Sequence, residues 1–111
     1  MNEEKEAIKQ NIENLLHYGV KAQMPVWVEE MSELTKVICK WARKYDKLNG
    51  DINIQLLEEF KDEITDVTIC LDQIKYTIGF MEDELMKRYG YKTDRQAKRI
   101  AGEIDEWGRN K

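Results

Sequence analysis

Two acidic clusters have residue types and spacing that could do chemistry: Glu29-Glu30-Met31-Ser32-Glu33 and Glu63-Ile64-Thr65-Asp66. Carboxylates three or four residues apart share one face of a helix. Brought close together they repel, and a bound cation relieves that repulsion. Donor sets made only of oxygen select hard ions, Mg²⁺ or Mn²⁺, and Mg²⁺ keeps positions open for water and phosphate oxygens. Taken singly, either cluster is what a solvated helix face looks like in a chain with 22 acidic residues. A di-iron carboxylate bundle would need Glu-x-x-His on two helices, and the chain has one histidine, His17, without that spacing. Cys39 and Cys70 lack a Cys-x-x-Cys partner, which argues against zinc; both are expected as reduced thiols packed near a core.

These residues must be positioned by helices. Ile8, Ile12, Leu15 and Leu16 mark an amphipathic segment from about Glu3 to Tyr18 that stops at Gly19, a natural helix end. Pro25 suits the first turn of a second helix, in which Trp27, Met31, Leu34, Ile38, Trp41 and Tyr45 recur at steps of 4 and 3. Asn49-Gly50-Asp51 is a turn signal. A third stripe runs through Leu57, Phe60, Ile64, Val67, Leu71, Ile74, Ile78 and Met81, with Asn53 as N-cap and Gly90 at the end. One helix over 54–88 would be about 50 Å long, against about 34 Å for the diameter of a compact monomer of this size. Either it breaks at Gly79 or its far half is buried on another subunit. The unbroken phase of the stripe favours the second reading, because an interior Gly costs only about 1 kcal/mol. Thr93 and Gln96 can cap a last helix with Ala97, Ile100, Ala101, Ile104 and Trp107 on one side. The expected fold is an all-α antiparallel four-helix bundle, residues 1–111 forming one domain and assembling as an oligomer.

Lettering the apolar stripes as heptads puts Glu30 and Glu63 at g, and Glu33 and Asp66 at c. In an antiparallel pair, equal letters lie on the same side of the seam, so all four acids are expected on one flank of the helix 2 and helix 3 interface. Gln23 lies one heptad before Glu30 on that flank, where its amide could read a nucleobase edge. Tyr18, Trp27 and Trp41 are the other candidates to meet a base; Trp27 and Trp41 share a d position, which favours core packing over stacking on one. Glu59 lies one turn before Glu63, either joining the acids or solvated, and His17 is expected as an ordinary surface or packing residue.

Glu29-Glu30-x-x-Glu33, a gap of 29 residues, then Glu63-x-x-Asp66 resembles the E-E-x-x-E…E-x-x-D signature of the MazG-like all-α nucleoside triphosphate pyrophosphohydrolases. Tyr18-Gly19, Gln23, Ser32-Glu33-Leu34, Asp66-Val67-Thr68-Ile69 and Gln73 extend the likeness over roughly residues 15 to 100. The resemblance implies hydrolysis of a nucleoside triphosphate, expected to be a dNTP, between its α and β phosphates. It implies Mg²⁺, with Mn²⁺ as substitute, on Glu30, Glu33, Glu63 and Asp66, while Glu29 or Glu33 orients or deprotonates the water. It also implies triphosphate contacts from a basic segment after the long helix, where Lys92, Arg95 and Arg99 stand beside Lys98. On a helical wheel this stripe lies more than about 90° from the apolar one, where side chains are normally solvated; it reaches substrate only by facing a cleft, in this chain or another.

Composition narrows the alternatives. Charged residues make up 36% of the chain and Gly and Pro are few, which favours helices over strands and turns. A net charge of −4 disfavours long nucleic acid and anionic membrane as partners. No apolar run approaches the roughly 20 residues of a membrane span and the N-terminus does not read as a leader, so a cytoplasmic protein is expected. The expected partners are a nucleoside triphosphate and a second copy of the chain, as homodimer or homotetramer. The competing classes are a non-catalytic helical interaction module and a nucleotide-sensing relative without turnover.

Overall fold

The computed structural model describes residues 2–45 and 53–111. Among these residues there are four helices and no strand; the only extended pairing is a single bridge between Ile104 and Asn110. The turn signal at 49–51 lies outside the described residues. The chain divides into two compact units, Met1–Ile78 and Gly79–Lys111.

In the first unit, α1 spans Glu3–Tyr18. Asn2 caps it, its Oδ1 accepting the Lys5 N–H at 2.9 Å, and Glu3, Glu4 and Glu6 complement the positive end of the helix. Gly19 ends it at φ 90, a conformation that disfavours side chains. The Gly19 N–H closes on the Leu15 carbonyl at 2.7 Å, while its own carbonyl accepts the Gln23 N–H and opens α2, Val20–Tyr45. Pro25 therefore lies inside α2 rather than in its first turn. The missing N–H gives up one intrahelical hydrogen bond there. Asn53 caps α3, Ile54–Ile78, through its Oδ1 and the Leu56 N–H at 3.0 Å.

The single long helix expected over 54–88 is not formed: α3 stops at Ile78 and Gly79 takes φ 68. An unbroken hydrophobic phase does not by itself hold a helix through a residue that enters the left-handed region freely. In the second unit, α4 spans Glu82–Ile100, so Gly90 is interior to a helix rather than its end. Thr93 is no N-cap; its hydroxyl donates back to the carbonyls of Tyr89 and Gly90. Ile104 and Trp107 follow α4 instead of lying on it, Ile104 buried and Trp107 exposed. Asp105 organises this tail by accepting the N–H groups of Trp107 and Arg109 and pairing with the Arg109 guanidinium.

Within the first unit α2 and α3 pack most extensively and run antiparallel, as Trp27 with Gln73, and Trp41 edge-on to Phe60 at 5.7 Å, require. Leu15, Trp27 and Cys70 form the core, with Ile74 against them. Val37 and Leu56 are buried as well, although the expected stripes omit both. Conversely Ile8, Leu16, Ile38, Tyr45, Ile64, Leu71 and Ile78 are exposed. The contact line on α2 and α3 is thus rotated away from the centre of their apolar stripes. Cys70 is buried but Cys39 is exposed.

Candidate metal centre

That rotation moves the acids. Glu30 on α2, and Glu63 and Asp66 on α3, are each half-buried along the line where the two helices meet. One carboxylate oxygen from each lies within 4.8 Å of the other two. At such separations a pair of like charges repels by about 1 kcal/mol in water and several times more in a seam of lower dielectric. Partial burial, then the charges of Asp66, Glu63 and Glu29, raise the Glu30 pKa above its ordinary 4.5. Burial first, then Asp66, Glu33, Glu59 and Asp62, raises that of Glu63. The Glu63 Oε2 atom is buried and has no hydrogen-bond partner. Cys70, one turn beyond Asp66, has its thiol pKa raised by burial and by Glu30 and Asp66.

The donor set fits a hard divalent cation. Three carboxylates from two helices supply only oxygen, and the unpartnered Glu63 Oε2 is an acceptor that a cation would satisfy. Glu33 stands outside the triad: its Oε1 accepts from Lys36 Nζ at 3.2 Å, although its charge reaches Glu63. Glu29 is exposed. Glu59 is tied to Lys40 at 3.3 Å, one turn further along the seam.

Beyond Cys70 the seam continues as a buried amide network. Gln73 Oε1 accepts from Trp27 Nε1 at 2.7 Å and from Gln23 Nε2 at 3.2 Å. Gln73 Nε2 donates to Asn11 Oδ1 at 2.9 Å, and Asn11 Nδ2 donates to the Ile69 carbonyl at 3.0 Å. Gln23 is therefore half-buried and engaged with Gln73, and Trp27 is a hydrogen-bonded core residue. Asn11 was not singled out by sequence reasoning, and Gln73 only as part of the likeness. The visible signal was a second stripe on α3, Glu63, Asp66, Cys70 and Gln73, stepping by 3, 4 and 3 beside the apolar one.

Lys92, Arg95 and Arg99 belong to the second unit. Arg95 lies over the Tyr91 ring at 5.7 Å, and the Nε atoms of Arg95 and Arg99 are buried without a hydrogen-bond partner. Lys98 pairs with Asp94 at 3.0 Å. His17 is exposed and edge-on to Tyr18 at 4.9 Å. No helix among the described residues is long and apolar enough to cross a membrane. No family model matches the chain, and comparison with curated proteins and with solved structures gives no match.

Proposed function

We propose that the chain is a Mg²⁺-dependent nucleoside triphosphate pyrophosphohydrolase of the MazG-like kind, acting on a dNTP in the cytoplasm as a homo-oligomeric bundle. The observation that carries this reading is the convergence of Glu30, Glu63 and Asp66 on the α2–α3 seam with one carboxylate oxygen left unpartnered.

Glu30, Glu63 and Asp66 would hold the ion, with Glu33 joining them or serving the water. When bound, Mg²⁺ supplies charge neutralisation for the triphosphate and for the leaving pyrophosphate. Glu33 or Glu29, at the rim of the cluster, orients the attacking water and takes its proton; for Glu33 this means exchanging the Lys36 contact. The water oxygen bonds to the α phosphorus while the bond from that phosphorus to the α,β-bridging oxygen breaks, giving monophosphate and pyrophosphate. Reading a base edge through Gln23 means exchanging its bond to Gln73. Lys92, Arg95 and Arg99 lie in the second unit, where the two orphaned Nε donors of Arg95 and Arg99 would suit an anion.

The test is direct. Each ribo- and deoxyribonucleoside triphosphate is incubated with Mg²⁺ and analysed for monophosphate and pyrophosphate, with Glu63→Gln as the comparison. Turnover that Glu63→Gln abolishes is expected. Absence of turnover on every base overturns the enzyme: nucleotide binding alone then identifies a sensing relative, and no binding identifies an interaction module.

A further inference from the structure

Residues 101–111, which follow α4 in the second unit, fold back along one side of that helix. An antiparallel bridge joins Ile104 to Asn110, and the Asp105 N–H donates to the Arg109 carbonyl at 2.7 Å. Asp105 holds the turn between them: its Oδ1 accepts the N–H groups of Trp107 and Arg109, each at 2.9 Å, and its Oδ2 accepts the Arg109 Nε at 3.0 Å. Gly108 takes φ 83 in that turn, and a Cβ built on it would lie 3.8 Å from the Arg95 Cδ. The segment thus rests against Arg95. Between segment and helix is a cavity of about 250 Å³, to which Tyr91, Arg95 and Lys98 contribute from α4, and Glu103, Ile104 and Gly108 from the segment.

The side of α4 so covered is its cationic one. At 100° per residue, the six basic residues between 87 and 99 all fall within about 140° of the helix, with Tyr91 among them and one acid, Asp94, at the edge. The segment brings a carboxylate to this side: Glu103 lines the cavity with Arg95, and its charge reaches Lys98. It competes with any external anion for the same cations. The hold is nevertheless weak. Ile104 is the only buried side chain among the described residues of the second unit, and in this closed arrangement the Nε atoms of Arg95 and Arg99 are buried with no acceptor. An unsatisfied buried donor opposes the arrangement that buries it, and a segment with one buried side chain belongs to the part of a fold that opens first.

We infer that residues 101–111 are a strap that, when closed, withholds Arg95 and Arg99 from a phosphate-bearing ligand, and that such a ligand binds by displacing it. Opening gives up the burial of Ile104 and frees two guanidinium N–H groups to meet phosphate oxygens as charge-assisted donors. The linkage runs both ways: a loosened strap strengthens anion binding, and a bound anion holds the strap open. The inference rests on the anion role given above to Arg95 and Arg99, and it uses neither the acids nor turnover.

Inorganic pyrophosphate, titrated by calorimetry into the full chain with no divalent ion present, tests it without involving the acids. Ile104→Ser and Asp105→Ala loosen the strap in two different ways, and each should bind pyrophosphate about tenfold more tightly than the wild type while helical circular dichroism is retained. Asp105→Asn removes the charge but keeps the Oδ1 acceptor of both N–H groups, and should stay within about twofold of the wild type. Arg95→Gln should cancel the gain in the Asp105→Ala background. In the wild type, saturating pyrophosphate should quicken amide hydrogen exchange at Trp107 and Arg109. No binding by any of these proteins, loosened variants that bind no better, an Asp105→Asn gain equal to that of Asp105→Ala, a gain that survives Arg95→Gln, or exchange that does not quicken would each overturn the strap. All the expected results in a protein that hydrolyses no triphosphate would uphold the strap and overturn only the enzyme.

Discussion

Glu30 on α2 and Asp66 on α3 face one another across the seam, a carboxylate oxygen of each within 4.8 Å of the other and of Glu63. Glu30 and Glu63 both have pKa values raised above the ordinary 4.5, each chiefly by partial burial and then by neighbouring carboxylates. A carboxyl raised on folding binds protons better in the folded chain than in the unfolded one. Its contribution to stability is full below the unfolded value and is lost as pH rises through the folded one. Metal-free protein is therefore expected to lose, between about pH 4.5 and neutrality, stability that Glu63→Gln retains. Thermal melts of the two proteins across that window check this; parallel curves would refute it.

The same repulsion sets the response to metal. At neutral pH without divalent ions, Glu63→Gln and Asp66→Asn should melt at or above the wild-type temperature, because each removes one charge from the crowded seam. Adding Mg²⁺ or Mn²⁺ should raise only the wild-type melting temperature, with about 2.7 kcal/mol of stabilisation at a hundred times the dissociation constant. Glu59→Gln, whose partner is Lys40, should still respond to metal. If Glu63→Gln gains as much from Mg²⁺ as the wild type, the three carboxylates are not the ligands.

Gly79 is where the sequence argument and the chain part company, and it can be tested. At φ 68 it needs the left-handed region, which costs a residue with a side chain roughly 1–2 kcal/mol. Nothing lies within 4 Å of a Cβ built there, so the cost is purely one of backbone conformation. Gly79→Ala is expected to lower stability by about 1 kcal/mol, or to extend α3 beyond Ile78. Helical circular dichroism separates the two outcomes, and a variant both as stable and as helical as the wild type would contradict the break.

How much of this was legible follows from which forces were local. The bounds of α1 and the Asn53 cap are set by residues within one turn of them, and the sequence pattern identifies both. The acids' company was legible too, because Glu30, Glu63 and Asp66 share a side of their helices whatever the exact rotation. What a single-chain pattern could not resolve is which part of a broad apolar face meets which partner. Ile64 and Leu71 lie at the centre of the α3 stripe and are exposed, while Leu56 and Cys70 at its margin are buried. A heptad lettered on the centre of the stripe therefore places Glu30 and Glu63 at the edge of the contact, whereas they lie on the contact line itself. Pro25 misleads for a related reason: its preference for a first turn is worth less than the continuous packing of α2 through Trp27.

Gln73 gives the most demanding prediction, because the register that brings Glu30 to Asp66 passes through it. It is 3% exposed and satisfies Trp27, Gln23 and Asn11 together, so α1, α2 and α3 are tied at one point, two turns along α3 from Asp66. Gln73→Leu keeps the volume but leaves the Trp27 indole N–H and the Asn11 carbonyl buried without partners, at about 1–3 kcal/mol each. Urea denaturation should show a loss of about 2–5 kcal/mol, and the surviving folded protein should bind Mn²⁺ less tightly as α2 gains freedom to slide on α3. Gln73→Glu keeps the acceptor for Trp27 and Gln23 but loses the donor to Asn11, so it should fall between the two in stability. A Gln73→Leu protein as stable as the wild type would show that the network is not what fixes the seam, and one that is destabilised yet binds Mn²⁺ normally would uncouple the register from the acids.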